Sequence, residues 1–229
     1  MGKLAVRMKN LLGSGEAAAP LSSVDAYAQW AAHYPPHAHN ALMQAEEACM
    51  LALLPDMTGQ TVLDLAGGTG RYGHIAMQRG AARVICTDNS IDMLAHNALD
   101  TRIGADMDAL PMRPACMDGI ICALAIGHLK RVDAAMQEIA RVLRPGGWAL
   151  VSDFHPYAYM NGARRTFTGS DGRAREVEHY VHALSSVINV GHDAGLRLEA
   201  VREPGVPDAV APPAMRGKPV VVAYRFAKP

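Results

Sequence analysis

Thr61-Val62-Leu63-Asp64-Leu65-Ala66-Gly67-Gly68-Thr69-Gly70-Arg71-Tyr72-Gly73 is an apolar run broken by one acid and followed at once by a glycine cluster. A helical pattern begins at Arg71-Tyr72-Gly73-His74-Ile75-Ala76. Together these read as a buried strand, a tight turn, and a helix whose free N–H groups point back at the turn. Glycine at 67, 68 and 70 permits positive φ and lets a ligand approach without a Cβ in the way. Gly68, Gly70 and Gly73 also spell G-x-G-x-x-G, the spacing of a dinucleotide turn.

The acid discriminates between ligands. A dinucleotide sets its pyrophosphate over such a helix start, where the dipole favours negative charge. Asp64 at the strand end would repel those phosphates. S-adenosylmethionine has no phosphate and carries a sulfonium and an ammonium, so a carboxylate there suits it. The run Val62-Leu63-Asp64-Leu65-Ala66-Gly67-Gly68-Thr69-Gly70 closely resembles motif I of class I S-adenosylmethionine-dependent methyltransferases of small-molecule type. Its form with Ala66, where many members have glycine, is similar to the quinone-methylating, type 11 branch.

Downstream acids extend the pattern. Arg83-Val84-Ile85-Cys86-Thr87-Asp88 reads as a second strand, and Asp88 lies 18 residues beyond Gly70, where a ribose-diol acceptor is expected. Asn89-Ser90 then caps a helix, Ile91 to His96, on which Met93 could pack against an adenine. A third strand, Thr101 to Ala105, ends at Asp106. The resemblance implies that Asp106 takes the adenine amine and the Met107 N–H a ring nitrogen. Met117 to Ala125, which includes Ala123, reads as strand four, and Trp148 to Asp153 as strand five. The run Glu138 to Gly147 again resembles the family, with a helix Asp133 to Leu143 stopped at Arg144-Pro145-Gly146-Gly147. Leu196 to Val201 and Val220 to Phe226 close the pattern as an edge hairpin. The expected fold is therefore α/β: a doubly wound, Rossmann-like seven-stranded sheet, mostly parallel with an antiparallel edge hairpin and an N-terminal helical lid.

Two segments flank this frame. Residues 1–40 read as an extension and lid helix, and residues 41–229 as the methyltransferase domain with a substrate-capping insertion around 154–182. Ser22-Ser23-Val24-Asp25 reads as an N-cap, and Tyr27, Trp30 and Tyr34 share one helical face. The resemblance implies an aromatic such as Tyr34 over the methionine end of the cofactor. The first 20 residues lack the long apolar run of a signal peptide, and Val6 misses the myristoylation pattern, though the late first acid, Glu16, suits a transit peptide.

Candidate proton acceptors are histidines past strand ends. His155 follows strand five and His128 follows strand four, the latter also facing the cofactor; His179 and His182, with Tyr157 and Tyr159, are candidates for the acceptor pocket. His33, His37 and His39 flank Pro35-Pro36 without acidic or thiol partners, so a hinge is expected there and no metal. Four cysteines form no C-x-x-C pair and fit reduced, cytoplasmic thiols.

The 229 residues carry 22 basic and 22 acidic side chains. That balance disfavours nucleic acid and anionic membranes as partners, and no apolar stretch reaches the ~18 residues of a membrane span. The expected activity is methyl transfer from S-adenosylmethionine, released as S-adenosylhomocysteine, to a small-molecule acceptor by in-line displacement, with a histidine available as base. Competing readings are a nicotinamide-dependent oxidoreductase and a non-catalytic binder of the same cofactor. The composition assigns no oligomeric state.

Overall fold

The computed structural model describes residues 20–169, 172–211 and 215–229. The expectations for residues 1–19 lie outside these. Chain order gives α1 (Ser23–Trp30), a 3₁₀ turn (Ala31–His33), α2 (Ala41–Leu53), β1 (Thr61–Leu65), α3 (Arg71–Gln78), β2 (Arg83–Asp88), α4 (Ile91–Ala95) and β3 (Arg102–Gly104). Then come β4 (Met117–Ala123), a 3₁₀ turn (Ile126–His128), α5 (Asp133–Val142), β5 (Leu143–Phe154), α6 (Pro156–Met160), β6 (Thr166–Thr168), β7 (Ala174–Glu176), α7 (Leu184–Asp193), β8 (Arg197–Arg202) and β9 (Val221–Ala227).

The strands form one seven-stranded sheet in the order β3-β2-β1-β4-β5-β9-β8. All neighbours from β3 to β5 are parallel, and β9 runs antiparallel to both β5 and β8. Side chains alternate across the sheet. Leu63, Leu65, Ile120, Cys122, Ala149 and Val151 face α5 and α7, whereas Val62, Ile121, Trp148 and Leu150 face α2 and α3. Both faces are covered, which is why these strands read as near-continuous apolar runs. Cys86 and Cys122 sit fully buried in the two layers as free thiols.

Two expectations are corrected. The run Arg144-Pro145-Gly146-Gly147 ends α5, but it also belongs to β5, which starts at Leu143 rather than Trp148. The pairing jumps from Met117↔Leu143 to Gly119↔Trp148, so the strand bulges there. Gly146 at φ 80° makes the bend, and its N–H donates to Lys228 O at 2.8 Å. The insertion after β5 also has more structure than its irregular sequence suggests. It holds α6 and the β6–β7 hairpin.

That hairpin meets the N-terminal segment. Leu21 bridges Val177, and Ala26, Phe167 and Val177 form a small buried cluster. Trp30 stacks on Phe167 with ring centroids 5.4 Å apart. Helix α1 and the hairpin are thus one layer over the carboxyl ends of the parallel strands. In doubly wound sheets ligands collect at those ends, beside the point where strand order reverses. Here that point lies between β1 and β4.

Candidate active site

A cleft of about 900 Å³, counting its open mouth, lies at that point. The glycine loop after β1 forms its floor. Positive φ falls at Ala66 (53°), Gly68 (54°) and Gly70 (88°), and Gly67 is not among the positive-φ residues. An alanine therefore holds a left-handed backbone where glycine costs nothing. Gly67 is needed for space instead, since a Cβ on it would lie 2.4 Å from Asp64 Cγ. At Gly68 a Cβ would lie 2.8 Å from Met93 Cε.

The acids grip this loop. Asp64 is 2 % exposed, and its Oδ2 accepts from the Gly73 N–H at 2.8 Å. Burial pushes its carboxyl up to about 7, against the pull of that N–H and of Arg71. Asp88 Oδ2 accepts from the Gly68 N–H at 2.8 Å and its Oδ1 from the Ser90 N–H at 2.8 Å. Burial raises Asp88 as well, and those N–H bonds oppose the shift. Asn89 donates to Asp106 Oδ1 at 3.0 Å, which ties the ends of β2 and β3 together.

Helix α2 reaches into the same region through Glu46, which is fully buried. Its Oε2 accepts from Arg71 Nη2 at 2.8 Å and from Tyr72 Oη at 2.9 Å, and its Oε1 accepts from Ser152 Oγ at 2.7 Å. Glu47 adds a second carboxylate 3.4 Å from Arg71. The Arg71 guanidinium is raised above its usual range, because Glu46 outweighs the effect of burial.

Opposite the loop, Tyr27 and Tyr34 descend from the N-terminal layer with centroids 6.0 Å apart. His128 stands edge-on to Tyr27 at 5.5 Å. Its Nδ1 donates to the Glu178 carbonyl at 3.2 Å, so its Nε2 is the acceptor, engaged by Arg165 Nη1 at 2.6 Å. Burial and the Arg165 charge hold His128 well below the usual histidine range, so the ring is neutral. Arg165 Nη2 also donates to the carbonyl of Leu124, a residue held at φ 54°.

Of the residues singled out in the sequence, Tyr34, Asp64, Ala66, Gly67, Gly68, Asp88, Asn89, Met93, Asp106, Met107, Ala123 and His128 line the cleft. Gly70 does not; it is the N-cap of α3, packed on Asn97. His155, the other candidate base, stands apart from the cleft. Its Nδ1 caps α6 through the Tyr157 N–H, its Nε2 meets Glu203 at 2.7 Å, and it does not line the cleft. Tyr157, Tyr159, His179 and His182 are also outside the lining. His179 packs against Phe154 and Tyr159, and His182 Nε2 bonds the Leu129 carbonyl at 2.9 Å. Burial lowers His179 to about 3.

Ser23, Tyr27, Arg71, Tyr72, Leu124, Leu129 and Arg165 line the cleft without having been singled out as site residues. The aromatic face was legible for Tyr27; a buried arginine in an irregular insertion carries no periodic signal. Of the upstream histidines, His39 packs edge-on to Trp30 and Tyr34. Among the described residues no cluster of three or more His, Cys, Asp or Glu could hold a metal ion. No helix among them is long and apolar enough to cross a membrane.

Residues 63–151 match the family described as Methyltransferase domain. The chain is 36% identical over 107 residues to the ubiquinone/menaquinone biosynthesis C-methyltransferase UbiE of Rubrivivax gelatinosus, covering 44% of this chain and 42% of that protein. It is 34% identical over 102 residues to the malonyl-[acyl-carrier protein] O-methyltransferase of Pectobacterium atrosepticum, covering 43% and 40%. The chain thus spans about two fifths of the length of these curated relatives. Among solved structures, an S-adenosylmethionine-dependent methyltransferase from Mesorhizobium loti superposes with a TM-score of 0.66 at 24% identity, over 80% of this chain and 97% of that one. The [4+2]-cyclase SpnF shares the fold at a TM-score of 0.60 and 17% identity, over 99% of this chain and 93% of that one.

Proposed function

We propose, from the match of residues 63–151 to the methyltransferase domain family, that this chain moves a methyl group from S-adenosylmethionine to a small-molecule acceptor. One observation carries the choice of cofactor. The N–H groups of Gly68 and Gly73, of the kind that cradle a pyrophosphate in dinucleotide folds, are already given to the carboxylates of Asp88 and Asp64. A phosphate there would meet two acids and lose its donors. A ligand with a sulfonium, an ammonium and a ribose diol suits these two acceptors.

The roles follow from chemistry. Asp88 keeps lone pairs for both ribose hydroxyls, since each carboxylate oxygen can accept twice. Asp106 is an acceptor for an adenine amine, with Met93 beneath Gly68 as apolar support. Arg71, braced by Glu46 and Glu47, offers positive charge to the amino-acid carboxylate of the cofactor. Tyr27 and Tyr34 exclude water from above. The bound cofactor supplies a methyl group on a positively charged sulfur, so the chain's task is to hold the acceptor in line.

His128 serves this task as a brace. Its Nε2 lone pair is committed to Arg165 and its Nδ1–H to Glu178, so it positions the guanidinium rather than taking a proton. By their names the curated relatives serve ubiquinone and menaquinone biosynthesis and methylate a malonyl-[acyl-carrier protein], and acceptors of either kind suit a covered cleft with apolar walls. The test is to incubate the protein with methyl-labelled S-adenosylmethionine and a size-fractionated cell extract. Label in the small-molecule fraction, absent with Asp88→Ala, is the expected result. Label confined to macromolecules would overturn the acceptor class, and no label in any fraction would overturn transfer.

A further inference from the structure

Arg165 is the anomaly of the cleft. It is 8 % exposed, yet no carboxylate of the described residues comes within ion-pair distance of it. Its neighbour in sequence, Arg164, faces Glu176 at 3.7 Å, and the other cleft arginine, Arg71, has two glutamates. Arg165 instead donates to neutral acceptors, His128 Nε2 and the Leu124 carbonyl, and lies over the Phe154 ring at 4.9 Å. Asp153 is near enough to feel its charge, but that carboxylate accepts from the Phe154 and Gly127 N–H groups. Of five guanidinium N–H groups, three find no partner among the described residues. A buried cation with open donors lowers stability unless an anion joins it. The supporting residues hold it rigidly, and Leu124 accepts a left-handed backbone in doing so.

We infer that Arg165 receives the carboxylate of the acceptor, and that the acceptor is a carboxylic acid with an apolar body, methylated on that carboxylate. This rests on the methyltransferase reading above and narrows it. Leu124, Ala125 and Leu129 line the cleft beside Arg165 and provide the apolar contact. A planar guanidinium holds one carboxylate oxygen while the other remains free to attack. That oxygen forms the new C–O bond as the methyl C–S bond breaks, and the electron pair of the broken bond stays on sulfur. The carboxylate loses its negative charge, the sulfonium its positive charge, and no proton moves. Such an acceptor needs no base, which agrees with a cleft whose lining histidine is engaged at both ring nitrogens. The neutral ester no longer pairs with Arg165, which favours its release.

The test uses protein saturated with S-adenosylhomocysteine and titrated with acetate, octanoate, benzoate and phenylacetate, each against its primary amide. At least one acid is expected to bind about tenfold or more tightly than its amide, the size of one charge-assisted pair. Arg165→Gln should abolish that preference with S-adenosylhomocysteine affinity unchanged, and Arg165→Lys, which keeps the charge, should restore part of it. Thermal unfolding of both variants checks that they fold. The inference fails if no acid is preferred, if the preference survives in Arg165→Gln, or if that variant loses S-adenosylhomocysteine as Asp88→Ala does, since the guanidinium would then serve the cofactor. Failure of the wild type to bind S-adenosylhomocysteine at all would instead sink the methyltransferase reading.

Discussion

Replacing Glu46 by Ala should unfold the protein far more readily than any surface change. Its two oxygens satisfy three donors from three elements: Arg71 and Tyr72 at the start of α3, and Ser152 on β5. Removal leaves the Tyr72 and Ser152 hydroxyls without this acceptor, and Arg71 only with Glu47 at 3.4 Å. Breaking a buried charge pair by removing one partner costs about 3–5 kcal/mol. For a domain of this size each kcal/mol lowers Tm by about 2–4 °C, so a fall of roughly 6–20 °C is expected. The assay is urea unfolding, followed by far-UV circular dichroism, of wild type, Glu46→Ala and Glu46→Gln. The amide keeps the shape and one acceptor, and should lose about half as much. Because Arg71 also lines the cleft, both variants should bind S-adenosylhomocysteine more weakly where they remain folded. A loss under about 1 kcal/mol for Glu46→Ala would refute the reasoning, since it would put the network in the class of exposed pairs.

Gly68→Ala places a Cβ at a φ of 54° and 2.8 Å from Met93 Cε, so it should cost about 1–2 kcal/mol in urea unfolding and weaken S-adenosylhomocysteine binding. Gly127→Ala would set a Cβ 2.1 Å from His179 Cε1 and 2.5 Å from Asp153 Oδ2, a clash worth about 1–3 kcal/mol that a second change, His179→Ala, should relieve in part. Asp64 gives a pH signature. Its folded value of about 7 exceeds the ordinary 3.8, so between these the folded chain holds a proton that the unfolded chain has lost. The stabilising contribution of that proton is full below the lower value and vanishes as pH rises through about 7. Asn at 64 keeps an acceptor for the Gly73 N–H, so the Asp64→Asn urea midpoint should gain on wild type as pH is raised from about 5 to 8. Parallel pH curves would contradict this.

Much of the frame was legible in the residues because its causes are local. Buried strands alternate or run apolar, and acids at the ends of β1 and β2 and just after β3 fall where chain reversal gathers them. Most of the residues singled out for a cofactor line the cleft that this geometry forms. The strand bulge at Arg144–Gly147 was obscured because proline and glycine mark a helix stop and a bulge alike. The remainder depends on contacts distant in sequence. Glu46 sits on an otherwise apolar helical stripe, a hint of buried pairing, but its partners are 25 to 106 residues away. Arg165 and His128 are 37 apart and joined by the fold alone. His155 falls outside the cleft because a position past a strand end does not say which way a ring turns, and here Glu203 and the start of α6 hold it.

The central claim is that the acid-lined glycine loop holds S-adenosylmethionine. Calorimetric titration with S-adenosylhomocysteine, with NADH in parallel and Asp88→Ala as control, tests it most directly. Micromolar binding of the first, reduced about a hundredfold or more in the variant and absent for NADH, is the result expected from losing both ribose contacts. Binding of NADH in preference to S-adenosylhomocysteine would contradict the account at Asp64 and Asp88 themselves.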